Sequence, residues 1–418
     1  MRDARVPKRK GVPAWKKVLG RIALLALFAA ALSILLFQLD QMTRHGTEEL
    51  DFVAFYTAGK IVNGGHSNRL YNVHLQQNIE RAIIPSGPFM PYYHPPFQAL
   101  LFAPLALLSF PHAFLIWATI TLAAWGLIVY LTRLTGYRLR TWPYILWTGI
   151  CLFFVLIALD FGEDTLLLAL VFLLAFLALK RRRNYVAGLA LGLGLFRFEI
   201  LLPFVFIFLL RRRWKLFAGF CTVGTVLLAV SAALVGWTGL VAYVRTLIEV
   251  GGAAAGPWAD RSSASMMPCL RGAFDSLLGG VIPHNFLFPA ILAATFFLLG
   301  WAARKFKDID RPADPAFDLE FSLAVIAALL SGYHVFIGQL TPLIVVGFVI
   351  LAYEAVRPRQ GILGNRRGTV LLLLIFGVVA GVAAVHSQAF SVEVVVLLGV
   401  MVWLARESSR TQRPETVR

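Results

Sequence analysis

The chain alternates long apolar runs with short polar or basic segments. Most of the apolar runs approach the length of about 20 residues that an α-helix needs to cross a bilayer. Counting a hairpin of two short helices as two crossings, we predict about twelve crossings, with both termini on one side. The remaining predicted spans cover approximately residues 18–39, 113–131, 143–159, 165–179, 216–235, 286–303, 317–331, 336–353, 370–385 and 392–405.

Two apolar stretches are too short for an ordinary crossing. Residues 97–110, interrupted by Pro104, are predicted to form a re-entrant or interfacial piece. Residues 184–210 lie between two basic clusters and should therefore start and finish on the same side. We interpret them as the hairpin of two short helices, with Arg197 and Glu199 near its tip.

Two longer segments, about residues 40–96 and 236–284, are predicted to be external loops. Half-apolar patches in the first loop, residues 51–62 and 73–84, are interpreted as short helices on the membrane surface. The predicted organisation is a single transmembrane domain over residues 18–405. It is flanked by a basic cytoplasmic tail at 1–17 and a second cytoplasmic tail at 406–418.

The composition agrees with this pattern. Of the 418 residues, 59% are hydrophobic and only 15% are charged, which is too little polar surface to cover a water-soluble core. The fold class predicted is therefore an all-α polytopic membrane protein. The three cysteines, Cys151, Cys221 and Cys269, form no CxxC pair, so neither a disulfide framework nor a thiolate metal site is indicated.

The basic residues are distributed unequally between the two predicted sides of the membrane. The formal net charge is +17, but most of the 39 Lys and Arg fall on the side of the termini. This is the positive-inside bias, and it explains the basic excess without nucleic acid as a partner. We expect a multi-pass protein of the cell inner (plasma) membrane, in contact with anionic lipids, with both termini cytoplasmic.

Asp51 is the first candidate for chemistry. The chain lacks a phosphate loop, a GxGxxG turn, a GxSxG elbow and an HExxH helix, so polar groups on the outer face remain. Asp51 follows the first predicted span directly, where a carboxylate suits proton abstraction from a sugar hydroxyl. From position alone, the alternatives are a solvated loop carboxylate or a helix N-cap.

Several short motifs resemble the opening of glycosyltransferase family 87, also catalogued as domain of unknown function 2029. Members of that family include mannosyltransferases that use polyprenyl-phosphate mannose. The resemblance rests on Asp51-Phe52, Tyr56, Gly64, Leu70-Tyr71, Tyr93-His94-Pro95-Pro96-Phe97 and Phe102-Ala103-Pro104-Leu105, and weaker similarity continues to about residue 353.

The resemblance implies a C-type glycosyltransferase fold with catalytic external loops. It further implies an inverting transfer, with Asp51 as general base on the non-cytoplasmic face. The donor would be a polyprenyl-phosphate sugar, with mannose as the expected sugar, and the acceptor a lipid or a glycan. No tightly bound cofactor and no divalent metal are expected. The oligomeric state is left open.

The donor phosphate or the acceptor also needs binding groups. The candidates are Arg197, His334, Glu199, Tyr93, His94, Arg261 and Arg271. For Arg197 the alternative is a pairing with Glu199 or with the backbone. For His334 it is a hydrogen-bonded helix end, and Gln339 is expected to join two helices.

One turn departs from the family pattern. Relatives tend to carry Gly-Gln followed by Asn after the third span, whereas here Gly162 is followed by Glu163 and Asp164. Either the acceptor differs or this turn is peripheral. With Asp160 and a histidine, these acids could bind a divalent ion, but no ligand spacing supports a metal site.

Two other functions remain open. A secondary transporter or a lipid-linked glycan flippase would use the hairpin as a substrate site at mid-membrane depth between two related halves. An outer-face polysaccharide polymerase would be another membrane enzyme. An enzyme should gather its polar groups at the outer boundary around Asp51, and the sequence contains no two-fold repeat.

Overall fold

A computed structural model describes most of the chain. The residues described are 33, 51–85, 89–137, 139, 141–252, 267–282, 284–307, 312–356 and 391–411. The predicted tail at 1–17, the span at 370–385 and nearly all of the span at 18–39 lie outside these residues. The same holds for Arg261.

Within the described residues the protein is helical and contains no strands. The helices are α1 Phe52–Asn63, α2 Val73–Ile83, α3 Pro96–Phe102, α4 Phe110–Thr132, α5 Thr141–Phe161, α6 Thr165–Lys180, α7 Asn184–Leu193, α8 Phe198–Leu210, α9 Trp214–Gly252, α10 Leu270–Leu278, α11 His284–Lys305, α12 Pro315–Ser331, α13 Leu343–Val356 and α14 Ser391–Thr411.

Four helical segments of the described chain are long and apolar enough to cross a membrane. They are Phe110–Thr135, Trp214–Val250, Phe286–Lys305 and Ile337–Ala355, and the bent pair α7–α8 makes a fifth if it counts as one span. Apolar helices also occur at Leu146–Phe161 and Thr165–Lys180, but these are shorter. The described part of the chain is therefore all-helical, with apolar helices typical of a membrane protein, and the count of about twelve crossings stays a prediction.

Helices α7 and α9 approach closely through glycines. A Cβ at Gly188 would lie 2.8 Å from the Phe220 nitrogen, and one at Gly192 would lie 2.6 Å from Cβ of Val223. Small residues at such four-residue spacing let helix backbones touch in membrane proteins. Further along, a Cβ at Gly224 would lie 3.3 Å from Cδ1 of Leu195, so α7 and α9 run side by side in the same direction.

Because α7 and α9 start together, the two arginine turns that precede them lie at one end of the protein. In each turn the middle arginine adopts a left-handed conformation, with φ of 58° at Arg182 and 55° at Arg212. The next residue donates back into the preceding helix, Arg183 to the Ala178 carbonyl at 2.9 Å and Arg213 to the Phe208 carbonyl at 3.0 Å. Residues 184–210 therefore begin and end at the same end, as a hairpin does.

The second predicted external loop is partly helical. Gly236, with φ 68° and ψ −179°, breaks α9, but the helix resumes and continues to Gly252. This second half packs against the turn Ser67–Arg69. Residues 270–278 form α10. The external position of this segment stays a prediction. Its helical content arises partly because a glycine with positive φ redirects a helix without ending it.

Helix α12 forms the centre of the protein. All its residues from Ala316 to Ser331 are buried, and α8, α11, α13 and α14 pack around it. Helix α14 runs past residue 405 into the segment predicted as a tail. There Ser408 donates to Oε1 of Glu320 at 2.9 Å, and the hydroxyl of Tyr353 donates to Glu407 at 3.2 Å.

Helix α1 is buried within the protein. All residues from Phe52 to Gly59 are buried, so these first two turns of the helix have no exposed face. The ring of Phe55 stacks on Phe102 of α3 with centroids 4.6 Å apart. The helix predicted at this position exists, but it packs inside other elements and does not present one face to a surface.

Candidate active site

Asp51 directly precedes α1 but does not cap it. The residue has helical dihedral angles, and its side chain makes no hydrogen bond to the first turn. Only its backbone carbonyl serves the helix, by accepting from Ala54 at 3.0 Å. The side chain of Asp51 instead hydrogen-bonds Glu163. The side-chain N-cap alternative is therefore excluded, and the carboxyl group is directed at Glu163.

The turn between α5 and α6 is fixed against the start of α1. Gly162 has φ 68°, and a Cβ there would lie only 2.6 Å from Cβ of Phe52. The indole nitrogen of Trp117 donates to the Gly162 carbonyl at 2.9 Å. These contacts place Glu163 beside Asp51, so this turn belongs to the candidate site and is not peripheral.

Glu163 is 8% exposed and close to two other acids. Burial first, and the negative charge of Asp51 second, raise its pKa to about 8. The carboxyl group lies against Gly338, where a Cβ would be 2.7 Å from its Cδ. Within the described chain, Oε2 of Glu163 has no hydrogen-bond partner. These surroundings favour the protonated form of Glu163.

Asp164 forms a buried ion pair with Arg197. The Nε and Nη2 atoms of Arg197 donate to Oδ1 of Asp164 at 2.8 and 2.6 Å. Gln98 Nε2 donates to the second carboxylate oxygen at 2.5 Å. The exposed side-chain fractions of Arg197 and Asp164 are 5% and 2%. The partner of Arg197 is thus Asp164, and neither Glu199 nor the backbone as the sequence suggested.

The predicted residues Tyr93, His94 and Glu199 lie around this pair. Burial, followed by the charge of Asp51, raises the pKa of Tyr93, so the phenol stays protonated. Burial, followed by the charge of Arg197, lowers the pKa of His94 well below its ordinary value, so this ring is neutral. Its backbone carbonyl accepts from the hydroxyl of Tyr71 at 2.7 Å. Glu199 is in the first turn of α8.

A second cluster forms around Arg271, which is 5% exposed. Its Nη1 contacts Nε2 of His334 at 2.8 Å, and its guanidinium stacks 4.2 Å from the ring centroid of Tyr333. Its Nε atom lies 3.6 Å from Oδ2 of Asp275. Burial and the charge of Arg271 lower the pKa of His334 to about 3. The neutral ring also hydrogen-bonds the backbone of Val250, so His334 holds Arg271 in place.

One segment connects the two clusters. A Cβ at Gly332 would lie 3.2 Å from the Glu199 carbonyl, and Gly338 contacts the carboxyl group of Glu163. His334 lies between these glycines and contacts Arg271. Gln339 accepts from the Phe336 nitrogen at 3.1 Å, so it closes this turn and does not join two helices as predicted. The segment from Gly332 to Gly338 therefore touches both sides of the candidate site.

The family profile described as glycosyltransferase family 87 matches residues 92–332, which is more than half of the chain. The chain belongs to glycosyltransferase family 87. This makes the protein a membrane glycosyltransferase. The matched region contains Tyr93, Glu163, Arg197 and Arg271, whereas Asp51 precedes it. No curated protein and no solved structure matches the chain.

Three residues of the candidate site in this family 87 protein were not among the residues predicted to act as base or to bind donor or acceptor. They are Gln98, Glu163 and Asp164. The departure from the family pattern at Glu163 and Asp164 was a signal for two of them. Among the described residues, no group of three or more His, Cys, Asp or Glu is arranged to hold a metal ion.

Proposed function

We propose that the protein transfers a sugar, with mannose the expected one, from a polyprenyl-phosphate donor to a lipid or glycan acceptor. The observation that carries this proposal is the position of Asp51. Its carboxyl group makes no helix cap and meets Glu163, next to Tyr93 and a buried ion pair. Carboxylates in such surroundings are candidates for general bases.

The proposed reaction is one inverting displacement. Asp51 accepts the proton of the acceptor hydroxyl as the hydroxyl oxygen bonds to the anomeric carbon of the sugar. The bond between that carbon and the donor phosphate oxygen breaks on the opposite face. Polyprenyl phosphate leaves with the electron pair, and its negative charge needs a cation nearby. No metal step is required.

Arg271 is the better candidate for the donor phosphate. Arg197 already directs two nitrogens at one oxygen of Asp164, so a carboxylate at 2.6 Å balances its charge. The ion pair of Arg271 with Asp275 is longer, at 3.6 Å, and the neutral His334 fixes the orientation of the guanidinium. In this proposal Arg271 contacts the phosphate and His334 is a positioning residue.

We place the site on the non-cytoplasmic face. Asp164 precedes the first residue of α6, while Lys180 and the arginine turn stand at the other end of this helix. A 16-residue helix separates these ends by about 24 Å. Basic clusters favour the cytoplasmic side, which supports an inner membrane protein with cytoplasmic termini. A C-type glycosyltransferase fold with about twelve crossings belongs to the same proposal.

The transporter alternative receives no support from the geometry. It required Arg197 and Glu199 to form a separate site in the middle of the hairpin. Arg197 instead contacts Asp164 beside the first turn of α6, in the same group as Asp51 and Glu163. The polar groups thus gather at one end, as an enzyme requires.

Sugar transfer by the purified protein in lipid nanodiscs tests this function. The substrates are polyprenyl-phosphate mannose and membrane lipid extract as acceptor source. We expect wild-type transfer to exceed that of Asp51→Asn by at least about a hundredfold, since a general base contributes 10² to 10⁴. A folded Asp51→Asn protein that binds donor and transfers sugar at the wild-type rate would show that Asp51 is not the base.

A further inference from the structure

Two carboxyl groups meet at the start of α1, and the proposed mechanism uses only one of them. Asp51 comes from the segment before α1, and Glu163 from the turn between α5 and α6. The contact between Gly162 and Phe52 fixes the two backbones against each other. Two ionised carboxylates at hydrogen-bond distance repel strongly, so such a pair holds one shared proton.

The surroundings decide which residue carries the proton. Oε2 of Glu163 is buried against Gly338 without a hydrogen-bond partner, so Oε1 is the atom that meets Asp51. Leaving an oxygen of a charged carboxylate unsatisfied costs far more than leaving the carbonyl oxygen of a neutral acid unsatisfied. Glu163 is therefore the neutral partner. Asp51, which is partly exposed, is the member of the pair better placed to carry the charge.

The other charged groups around Glu163 favour the same assignment. Asp164 lies on the same turn, and its charge is balanced by Arg197 from the bend between α7 and α8. Tyr93 faces the pair from the first loop as a neutral phenol. Glu199 is a further acid within this group. The cation facing the group from the described elements, Arg197, is paired with Asp164. Its charge lowers the pKa of Glu163, but burial and the charge of Asp51 raise that pKa by more.

We infer that Glu163 is a positioning residue that donates a hydrogen bond from its protonated carboxyl group to Asp51 and holds the ionised Asp51 towards the acceptor hydroxyl. This inference rests on the proposed function for its catalytic consequence. In the transfer step the proton of the acceptor goes to Asp51, while the proton of Glu163 stays in place. The pair therefore passes from one proton to two, and Asp51 then releases its proton to solvent.

A direct test is the protonation of Glu163, which needs no substrate. Infrared difference spectra of the protein in nanodiscs should contain a protonated-carboxyl band that disappears as the pH rises through about 8. Glu163→Gln should remove this band. In Asp51→Asn the band should titrate at lower pH, because the neighbouring negative charge that raises the pKa of Glu163 is gone. Other buried carboxyl groups, such as Glu393, can contribute bands that survive in Glu163→Gln, so the test is the band that this substitution removes. If no wild-type band at pH 6.5 were lost in Glu163→Gln, the inference would be overturned.

Activity provides the second readout. We expect wild-type kcat/KM to fall about tenfold per pH unit above about pH 8, as the donated hydrogen bond is lost. Glu163→Gln keeps an N–H donor, so it should retain transfer within about tenfold and lack this alkaline fall. Glu163→Ala should lose more than tenfold in kcat with little change in the donor KM. An unaltered alkaline fall in Glu163→Gln would contradict the inference.

The control is Glu320→Gln. Glu320 is also buried and hydrogen-bonded, to Ser408, but it lies near the start of α12, away from Gly332. This variant should leave the alkaline fall in place. The proposed function and the proposed Glu163–Asp51 hydrogen bond can be refuted independently. If no sugar were transferred but the Glu163 infrared band were present, the function would be refuted and the hydrogen bond would stand. If Asp51→Asn lost activity as expected but Glu163→Gln kept the alkaline decrease in kcat/KM, only the role of Glu163 would be refuted.

Discussion

Replacing Gly338 by alanine perturbs the site without removing any functional group. The new Cβ would lie 2.7 Å from Cδ and 2.8 Å from Oε1 of Glu163, and nearer still to Oε2. Contacts this short do not persist, so the carboxyl group of Glu163 must move by about 1 Å, and the hydrogen bond to Asp51 moves with it. Misplacement of about 1 Å in a catalytic arrangement can cost roughly a hundredfold in rate.

We expect Gly338→Ala to lower kcat by about ten- to a hundredfold and to destabilise the protein by about 1–3 kcal/mol through overpacking. Sugar transfer and thermal unfolding in nanodiscs measure the two effects. The matched control is Gly300→Ala in α11, where a Cβ would meet no atom within 4 Å. This variant should behave like the wild type in both assays.

A double substitution separates the proposed cause from general strain. In Glu163→Ala the carboxyl group that Gly338 contacts is absent, so adding Gly338→Ala should cost little more. Residues in contact show such non-additivity, whereas independent sites add. If Gly338→Ala reduced kcat by the same factor with and without Glu163, its effect would not pass through that carboxyl group, and the reasoning would be refuted.

Four further predictions concern other parts of the molecule. Arg197→Met should destabilise the protein by about 3–5 kcal/mol in thermal unfolding, and pairing it with Asp164→Leu should recover part of that loss, because each single change leaves a buried charge unpaired. Arg271→Gln should raise the donor KM at least tenfold while the protein stays folded, since a phosphate contact is removed. Cysteines placed at Arg182 and Arg212 should both react with an impermeant thiol reagent from the cytoplasmic side only. Chelation of divalent metal by EDTA should leave transfer unchanged.

For each of these four predictions, a specific outcome would contradict it. An Arg197→Met protein as stable as wild type would mean that the ion pair with Asp164 contributes nothing. An unchanged donor KM in Arg271→Gln would remove the second cluster from the donor site. Labelling of the two arginine positions from opposite sides would make residues 184–210 a broken single crossing. Loss of transfer in EDTA, with recovery on adding Mg²⁺ or Mn²⁺, would require a metal.

Several helices were predicted correctly from the sequence, because a long apolar run indicates a segment that is buried or in contact with lipid. Helices α4, α6 and α11 lie where apolar stretches between polar or basic segments placed them. The sequence did not predict the second half of α9, since Gly236 is indistinguishable from a helix end until its neighbours are known. The burial of α1 was also missed, because it depends on Phe102 and other residues distant in the sequence.

The candidate site was predicted only as single residues. The position of Asp51 after a span was enough to propose a base, but nothing local to it identifies Glu163, which is more than a hundred residues away. That pairing depends on the positive φ of Gly162 and on its contact with Phe52. The partner of Arg197 is likewise determined by the bend between α7 and α8. From the sequence, only Glu199 or the backbone had been considered as its partner.

The segment from Gly332 to Gly338 contacts both the Asp51–Glu163 pair and the cluster around Arg271, which have different proposed roles. Gly338 contacts the proton-accepting pair, and four residues earlier His334 orients Arg271, the proposed phosphate contact. A base and a leaving-group cation must stand on opposite faces of the sugar for an inverting displacement. A short segment that touches both fixes their separation more closely than two independent loops would. Changes at Gly338 should therefore alter kcat more than donor affinity, whereas changes at His334 should also weaken donor binding through Arg271.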